Sequence, residues 1–389
     1  MDAEPRVALV TYSTKPRGGV VHTLALAEAL RDQGCGVHIV TLGDPRTGFF
    51  RPTTVPHTVI PAPPNTGSLE DKVFASIDRL AEGLAALDGF ELLHTQDCIS
   101  ARAAARVRDA GAPVRVVRTV HHVDDFTTEA LINCQRRAIT EPDHLIVVSE
   151  QWRDILRDGY GVSAFLVHNG VDAARFGPVP AAERARLRAQ AGAQGRFLLL
   201  SVGGVEPRKG SVYLFEALAE LKRTVRPAPV LAVIGGHSFR DYAAYRTTAL
   251  DALPGLGLTL GTDVVLLGTV SDRDLPRWYR AADAFAFPST KEGWGLAVLE
   301  AMSAGLPVVA SDLPVFREYL DHGVTALLPP VGDSRALAGA LRRVVEDERL
   351  RDTLRANAAP VVGRFTWAAA ATRHRALYRW MRELSVSTV

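Results

Sequence analysis

Two glutamates, Glu292 and Glu300, bracket the run Gly293-Trp294-Gly295-Leu296-Ala297-Val298-Leu299. An apolar run at 284–287 and a turn at 288–290 come just before it, so a strand, a loop and then a helix starting near Gly295 are expected. Amides at a helix start lack intrahelical partners and lie at the positive end of the dipole, which suits a phosphate; Gly293 and Gly295 leave that backbone open. A carboxylate only accepts hydrogen bonds. Glu300, about a turn and a half into the helix, could therefore accept from two vicinal hydroxyls of the kind a ribose presents, and Glu292, in the loop, from a sugar. A lone Gly-x-Gly between acids would be no more than a solvated turn.

A second cluster, Gly203-Gly204-Val205-Glu206-Pro207-Arg208-Lys209-Gly210, follows an apolar run at 197–202 and precedes a helical pattern over 212–221. Cations at a helix start can neutralise a diphosphate leaving group as charge builds on it, work that a metal ion does elsewhere. Two surface cations that cap nothing are the bland alternative. Near the beginning of the chain, Gly18-Gly19-Val20 opens a helix after the run 6–12, with Lys15 and Arg17 adding positive charge. A glycine pair there also makes an ordinary tight turn. Thr119-Val120-His121-His122 closes another apolar run. A neutral imidazole at that point could bind a sugar hydroxyl and an imidazolium could support phosphate charge, with His122 the rival of His121 and a structural histidine the plain reading.

Such residues need strands that end beside one another. Short apolar runs at 6–12, 36–42, 92–95, 114–120, 144–149 and 165–168 alternate with helical spacing, which is the grammar of a parallel, doubly wound sheet. The prolines Pro178 and Pro180 and an Ala/Arg-rich stretch interrupt it. It then restarts at 197–202, 230–234, 264–267, 284–287 and 307–310. The expected fold is α/β: two Rossmann-like doubly wound domains facing a cleft, over residues 1–175 and 176–365. A C-terminal helix, 366–389, is expected to cross back to the first domain, with Trp367, Leu377, Tyr378 and Met381 as anchors. The proline-rich piece 52–64 is expected to be a surface loop, because prolines lack the amide donor of an interior strand.

From Glu292 onward the chain continues Ala301-Met302-Ser303-Ala304-Gly305-Leu306-Pro307-Val308-Val309. The whole stretch resembles the glutamate-x7-glutamate motif of GT-B fold glycosyltransferases, in particular the retaining family 4 group (glycosyl transferases group 1). Val148-Ser149, His168-Asn169-Gly170-Val171-Asp172 and Gly268-Thr269-Val270-Ser271 extend the resemblance from about Val7 to about Trp367. It implies a retaining transferase that needs no metal and no cofactor and moves a sugar from a UDP-, GDP- or ADP-sugar to a hydroxyl acceptor, the leaving diphosphate helping to deprotonate that acceptor. By resemblance Glu292 contacts the donor sugar and Glu300 the ribose, Lys209 supports the diphosphate, and His121 lies near the donor sugar. Gly18, Gly19, Gly204, Val270, Gly293, Trp294, Gly295 and Leu296 belong to the donor site, Val270 in a loop that reads the base through backbone groups. One departure stands out: the family carries an arginine where this chain has Gly204, so either Arg208 supplies the second positive charge or the diphosphate is stabilised less than is usual in the family. Asp124 and Asp125 are adjacent, not spaced as Asp-x-Asp, so no metal site is expected.

Composition narrows the alternatives. Of the 389 residues 47% are hydrophobic, enough for two cores, and 45 basic against 43 acidic side chains give a net charge of +2, which argues against nucleic acid as a partner. Cys35, Cys98 and Cys134 are too few and too scattered for a disulfide framework, as in a reducing compartment, so the chain is expected in the cytoplasm. Its start lacks the pattern of a secretory signal, and no run has the length of a membrane span. Arg102, Arg106, Arg108, Arg115 and Arg118 form a basic run that would suit weak peripheral contact with anionic lipid, or be solvated helix and strand ends. A nucleotide-sugar-binding protein without turnover and an epimerase of the same fold are the competing functions. The acceptor, expected at loops such as 46–65, has no signature.

Overall fold

Val-Ala-Leu-Val-Thr, Val-Leu-Ala-Val-Ile and Ala-Phe-Ala-Phe are buried along their whole length in the computed structural model, which describes residues 4–64, 66–236 and 242–386. Asn65, in the loop assigned to the acceptor, lies outside the described residues. Strands buried on both faces carry apolar side chains at every position, and only helices packed on either side can cover them. Twelve strands result among the described residues: β1 (Val7–Thr11), β2 (Val37–Gly43), β3 (His57–Pro61), β4 (Leu92–Thr95), β5 (Arg115–Val120), β6 (His144–Val147), β7 (Phe165–Leu166), β8 (Leu198–Val202), β9 (Val230–Ile234), β10 (Val264–Gly268), β11 (Ala284–Phe287) and β12 (Val308–Ala310). They form two sheets, in the orders β3-β2-β1-β4-β5-β6-β7 and β10-β9-β8-β11-β12, with parallel pairing throughout. The chain therefore has two parallel-sheet α/β domains. The first unit is Met1–Gly170 with Thr366–Val389, and the second is Val171–Phe365.

The proline-rich segment departs from expectation. It holds β3, paired in parallel with β2, where a loop was expected. β3 is the outermost strand of its sheet and its prolines sit at the margins: the carbonyl of Pro56 accepts from Ile39 N at 2.9 Å, and Pro61 is the last residue. An edge strand tolerates proline because one side of its ladder faces no partner.

In the first unit the helix Trp367–Val386 lays His374, Tyr378 and Met381 onto the core formed by β1, β2 and the helix Gly18–Asp32. Gln33 Nε2 donates to Ala368 O at 2.8 Å, and Arg375 and Arg379 both hold Glu4, so the last helix is fixed at either end. The chain enters this helix against Gly170, where a Cβ would lie 2.1 Å from Trp367 N. The second unit has its own core, in which Leu199, Leu231, Ala286 and Val309, on one face of the smaller sheet, meet Phe215 and Leu218 of the helix Ser211–Thr224 and Leu337 and Leu341 of the helix Ser334–Glu346.

Gly170→Ala forces backbone against backbone, and a loss of about 2 kcal/mol in unfolding free energy is expected from denaturant titration. Gly159→Ala, in the helix Glu150–Tyr160 where a Cβ meets nothing within 4 Å, is expected to stabilise by about 0.5–1 kcal/mol. Equal effects at the two positions would contradict the packing described.

Candidate active site

β8 and β11 are neighbours at the point where the second sheet reverses its order of growth, with β9 and β10 added on one side of β8 and β11 and β12 on the other. In doubly wound sheets a crevice opens at the carboxyl ends of such a pair. The loop after β8 brings Lys209 and Arg208 there, and the loop after β11 brings Glu292. Lys209 Nζ donates to Glu292 Oε1 at 2.7 Å, and Arg208 Nη1 donates to the same oxygen at 3.0 Å. Lys209 Nζ also lies 4.5 Å from the centroid of the Phe287 ring, on β11 itself.

Burial alone would push the Glu292 carboxyl up, but the charges of Lys209 and Arg208 outweigh it and hold the group at about 2. Burial lowers the ammonium of Lys209, the neighbouring Arg208 lowers it further, and Glu292 opposes both. One carboxylate oxygen thus meets two cations, and the charge of the buried Glu206 also acts on Lys209. The two loops approach so closely that a Cβ on Gly210 would stand 1.9 Å from Pro288 O, which is why glycine ends the Lys209 turn. Gly204 adopts φ +76° and its amide, like that of Gly203, donates to Ile234 O. An arginine in that backbone conformation would be strained, and its Cβ would meet Gly236 O at 3.1 Å. Gly204 therefore offers close approach, not a free amide. The guanidinium that reaches Glu292 belongs to Arg208.

The helix Leu296–Ser303 starts at Gly295 with φ +89° and no side-chain cap, as does Ser211–Thr224 after Gly210, so the first-turn amides of both meet no capping side chain. Glu300 Oε2 accepts from the hydroxyl of the fully buried Tyr279 at 2.9 Å. Burial raises the Glu300 carboxyl, and the Tyr279 bond only partly offsets this. Gly293, Leu296 and Val270 are partly exposed, Val270 in the loop after β10. Trp294 differs from the other residues of the motif. Its ring is buried against Tyr319 and Phe365, at 4.8 and 5.0 Å between centroids, so its side chain belongs to the core.

In the first unit the corresponding reversal lies between β1 and β4. Gly18 and Gly19 open an uncapped helix after β1, Gln96 follows β4 and His121 follows β5. A Cβ on Gly19 would lie 3.9 Å from Gln96 O and 4.0 Å from His121 Cδ2, so the three meet at one place. His121 Nε2 bonds Gln96 Oε1 at 3.1 Å, an arrangement in which the imidazole donates from Nε2 and keeps Nδ1 as an acceptor. Burial, then the charges of His122 and Arg118, push His121 down to about 3, so at neutral pH it is an uncharged hydrogen-bonding group. His122 instead faces Asp124 at 3.5 Å. Lys15 is exposed, and Arg17 lies over the Tyr12 ring at 5.2 Å.

Behind His121 runs a file of buried histidines that the sequence did not announce. His22 packs edge-on to His121 at 4.6 Å and bonds Asn169 Oδ1 through Nδ1 at 2.9 Å. His374 follows at 6.4 Å from His22. His94 lies 5.5 Å from His374 and is held by Tyr378 OH at 2.6 Å and Thr119 Oγ1 at 2.7 Å. The readable signal was His22 itself, a polar residue among the buried positions Val20, Leu24 and Leu26 of one helix. The basic run also changes meaning: Arg102 pairs with Glu141, Arg106 with Asp78 and Arg108 with Asp143, while Arg118 is 4% exposed. Arg102 and Arg118 are thus buried and Arg108 is partly buried, whereas Arg106 remains exposed.

Residues 183–360 match the family model described as glycosyl transferases group 1, and residues 16–175 match glycosyltransferase family 4. The chain is 30% identical over 377 residues to a phosphatidyl-myo-inositol mannosyltransferase of Mycobacterium leprae, covering 94% of each. It is 29% identical over 425 residues to a D-inositol 3-phosphate glycosyltransferase of Nocardioides sp., covering 98% of this chain and 91% of the relative. In fold it is similar to HepE of Anabaena, solved in complex with UDP and glucose, with a TM-score of 0.80 and 22% identity over 99% of this chain and 100% of that one. Among the described residues no helix is long and apolar enough to cross a membrane.

The site's charges make stability depend on pH. His121 and His374, at about 3 and about 4 in the fold against an ordinary 6.5, are neutral where an unfolded chain would protonate them. Stability is therefore complete above pH 6.5 and is lost as pH falls toward the folded values, at about 1.4 kcal/mol per pH unit for each such histidine. His374→Gln is expected to flatten this loss in urea titrations compared between neutral and mildly acidic pH; an unchanged slope would contradict the buried neutral state. Glu292→Gln leaves two cations facing no carboxylate and is expected to cost about 3 kcal/mol in the same titration at neutral pH.

Proposed function

The chain belongs to the glycosyl transferases of group 1, family 4 type, and on that premise we propose that it moves a sugar from a nucleoside-diphosphate sugar to a hydroxyl acceptor with retention at the anomeric carbon and without a metal ion. The observation that carries this reading is the convergence of Lys209 and Arg208 on Glu292 at the β8/β11 reversal, with the uncapped Leu296–Ser303 helix beginning beside it. As the bond from the anomeric carbon to the diphosphate breaks, negative charge collects on the leaving oxygens. Two cations and the first-turn amides are fixed in advance to receive it. The acceptor oxygen then bonds to the anomeric carbon and its proton passes to the leaving diphosphate, so no enzymic nucleophile is needed. Glu292 accepts from a hydroxyl of the sugar. Glu300, held by Tyr279, accepts from the ribose, and the loop with Val270 meets the base. His121, neutral and oriented by Gln96, hydrogen-bonds a sugar hydroxyl.

The acceptor reading rests on the relatives. Both are named for transfer to an inositol-containing molecule. We take a cyclitol, free or phosphorylated, as the acceptor class.

Thermal-shift screening with UDP-, GDP- and ADP-sugars, followed by transfer assays on myo-inositol and its phosphates, identifies the pair. One donor class is expected to raise the melting temperature and to be turned over with a retained anomeric configuration by NMR, at a rate unchanged by chelator. Lys209→Ala and Glu292→Ala are each expected to lower turnover about 100-fold or more while circular dichroism shows the fold intact. Near-normal turnover in both variants would overturn the site. A donor bound tightly but never transferred would favour a binding protein, and epimerised donor as the product would favour an epimerase.

A further inference from the structure

Away from the donor site, on the face of the first sheet covered by the helices Cys98–Asp109 and Glu129–Thr140, the structure places two thiols and a buried arginine together. Cys98 Sγ and Cys134 Sγ are 3.7 Å apart. Cys134 is 4% exposed and Cys98 is partly exposed, whereas the third cysteine, Cys35, is buried elsewhere in the core. Arg118, on β5 beneath them, is 4% exposed, and its Nε and Nη1 are buried without a hydrogen-bond partner among the described residues. A buried guanidinium without an acceptor is costly, and the ionisable groups whose charge it feels are Cys98, Asp97, Asp124 and Cys134. Asp97 is already committed, accepting from Ser100 N at 2.7 Å and from Tyr12 N at 3.1 Å, and Gln135 clamps the backbone of Asp124 at 2.8 Å. Beside Asp97 and Asp124, a thiolate on the cysteine pair is a further anion that offsets the buried charge of Arg118.

We propose that Cys98 and Cys134 are a reversible oxidation site, converted to a disulfide by hydroperoxides, with the surrounding arginines, Arg118 among them, favouring the thiolate. One thiolate attacks the peroxide, its S–O bond forming as the O–O bond breaks. The alkoxide or hydroxide released takes up a proton, leaving a sulfenic acid. The neighbouring thiol then attacks the oxidised sulfur; the S–S bond forms, the S–O bond breaks, and the thiol's proton passes to the departing hydroxide, which leaves as water. Two thiols lose one electron pair and two protons in all, and the peroxide oxygen is reduced. The hydrogen bond from Cys98 draws Cys134 down to about 7 against the effect of burial, and Arg102, Arg118 and Arg106 act in the same direction. In a reducing compartment a pair of this kind is transient and responsive, not a permanent brace. The two helices it joins carry at their N-terminal ends the loops that hold Gln96 and His121.

The test is peptide mapping of the full chain after brief treatment with hydrogen peroxide, alkylation under denaturing conditions and digestion without reductant. The expected product is a Cys98–Cys134 linked peptide that dithiothreitol releases, with Cys35 alkylated throughout. Arg118→Met is expected to slow formation of the bridge about tenfold, as a shift of one pKa unit would, while Arg118→Lys keeps most of the rate. Both cysteines alkylated, sulfinic acid without a bridge, or bridging at the wild-type rate in folded Arg118→Met would each overturn the proposal.

Discussion

Two cations sharing one buried carboxylate oxygen at the reversal of a parallel sheet is the constraint from which the rest of the second domain follows. Lys209 and Arg208 cannot both reach Glu292 unless the loops after β8 and β11 nearly touch, and that approach requires glycine at position 210. The same closeness aims the start of the Leu296–Ser303 helix beside the cluster and brings Phe287 under the ammonium. A buried ion pair is weak support for a fold, because the desolvation of two charges consumes most of their attraction. Here the cluster lies beside the uncapped start of the Leu296–Ser303 helix, whose amides suit an anion. Geometry of that kind is better explained by an anionic ligand than by stability.

The first domain solves a different problem. Its candidate group, His121, must be uncharged and oriented, and burial with Gln96 as a partner achieves both. Burial disfavours a second proton on the histidines behind it: Asn169 Oδ1 accepts from His22 Nδ1 and so sets its tautomer, while Tyr378 and Thr119 hold the ring of His94 in place. Through His374 and Tyr378, the C-terminal helix becomes part of the scaffold of that site. Its docking is thus as much a matter of function as of packing.

What was legible in the sequence is what depends on local pattern. Apolar runs buried on both faces read directly as parallel strands, and the glycine-opened helices after β1, β8 and β11 were visible because turn chemistry and helical spacing sit within a few residues of one another. The strand β3 was hidden by its prolines, which exclude an interior strand but not an edge one. The partners that complete the site come from remote parts of the chain: Tyr279 for Glu300, Tyr378 for His94, Asn169 for His22. No periodicity encodes a hydrogen bond between residues so far apart. At Trp294 the motif did not show that the ring itself packs into the core, against Tyr319 and Phe365. At Gly204 the resemblance marked a departure, and the structure adds what the sequence could not show: a backbone angle, φ +76°, that an arginine would be strained to adopt.

The central claim is that this cation cluster receives the diphosphate of the donor. It is tested most directly by a crystal structure of the protein with a bound, non-transferable nucleoside-diphosphate sugar. The account predicts diphosphate oxygens within hydrogen-bond distance of Lys209 Nζ and of the Arg208 guanidinium, with a sugar hydroxyl on Glu292 and the ribose on Glu300. A diphosphate bound elsewhere, with the Lys209–Glu292 pair left untouched, would contradict it.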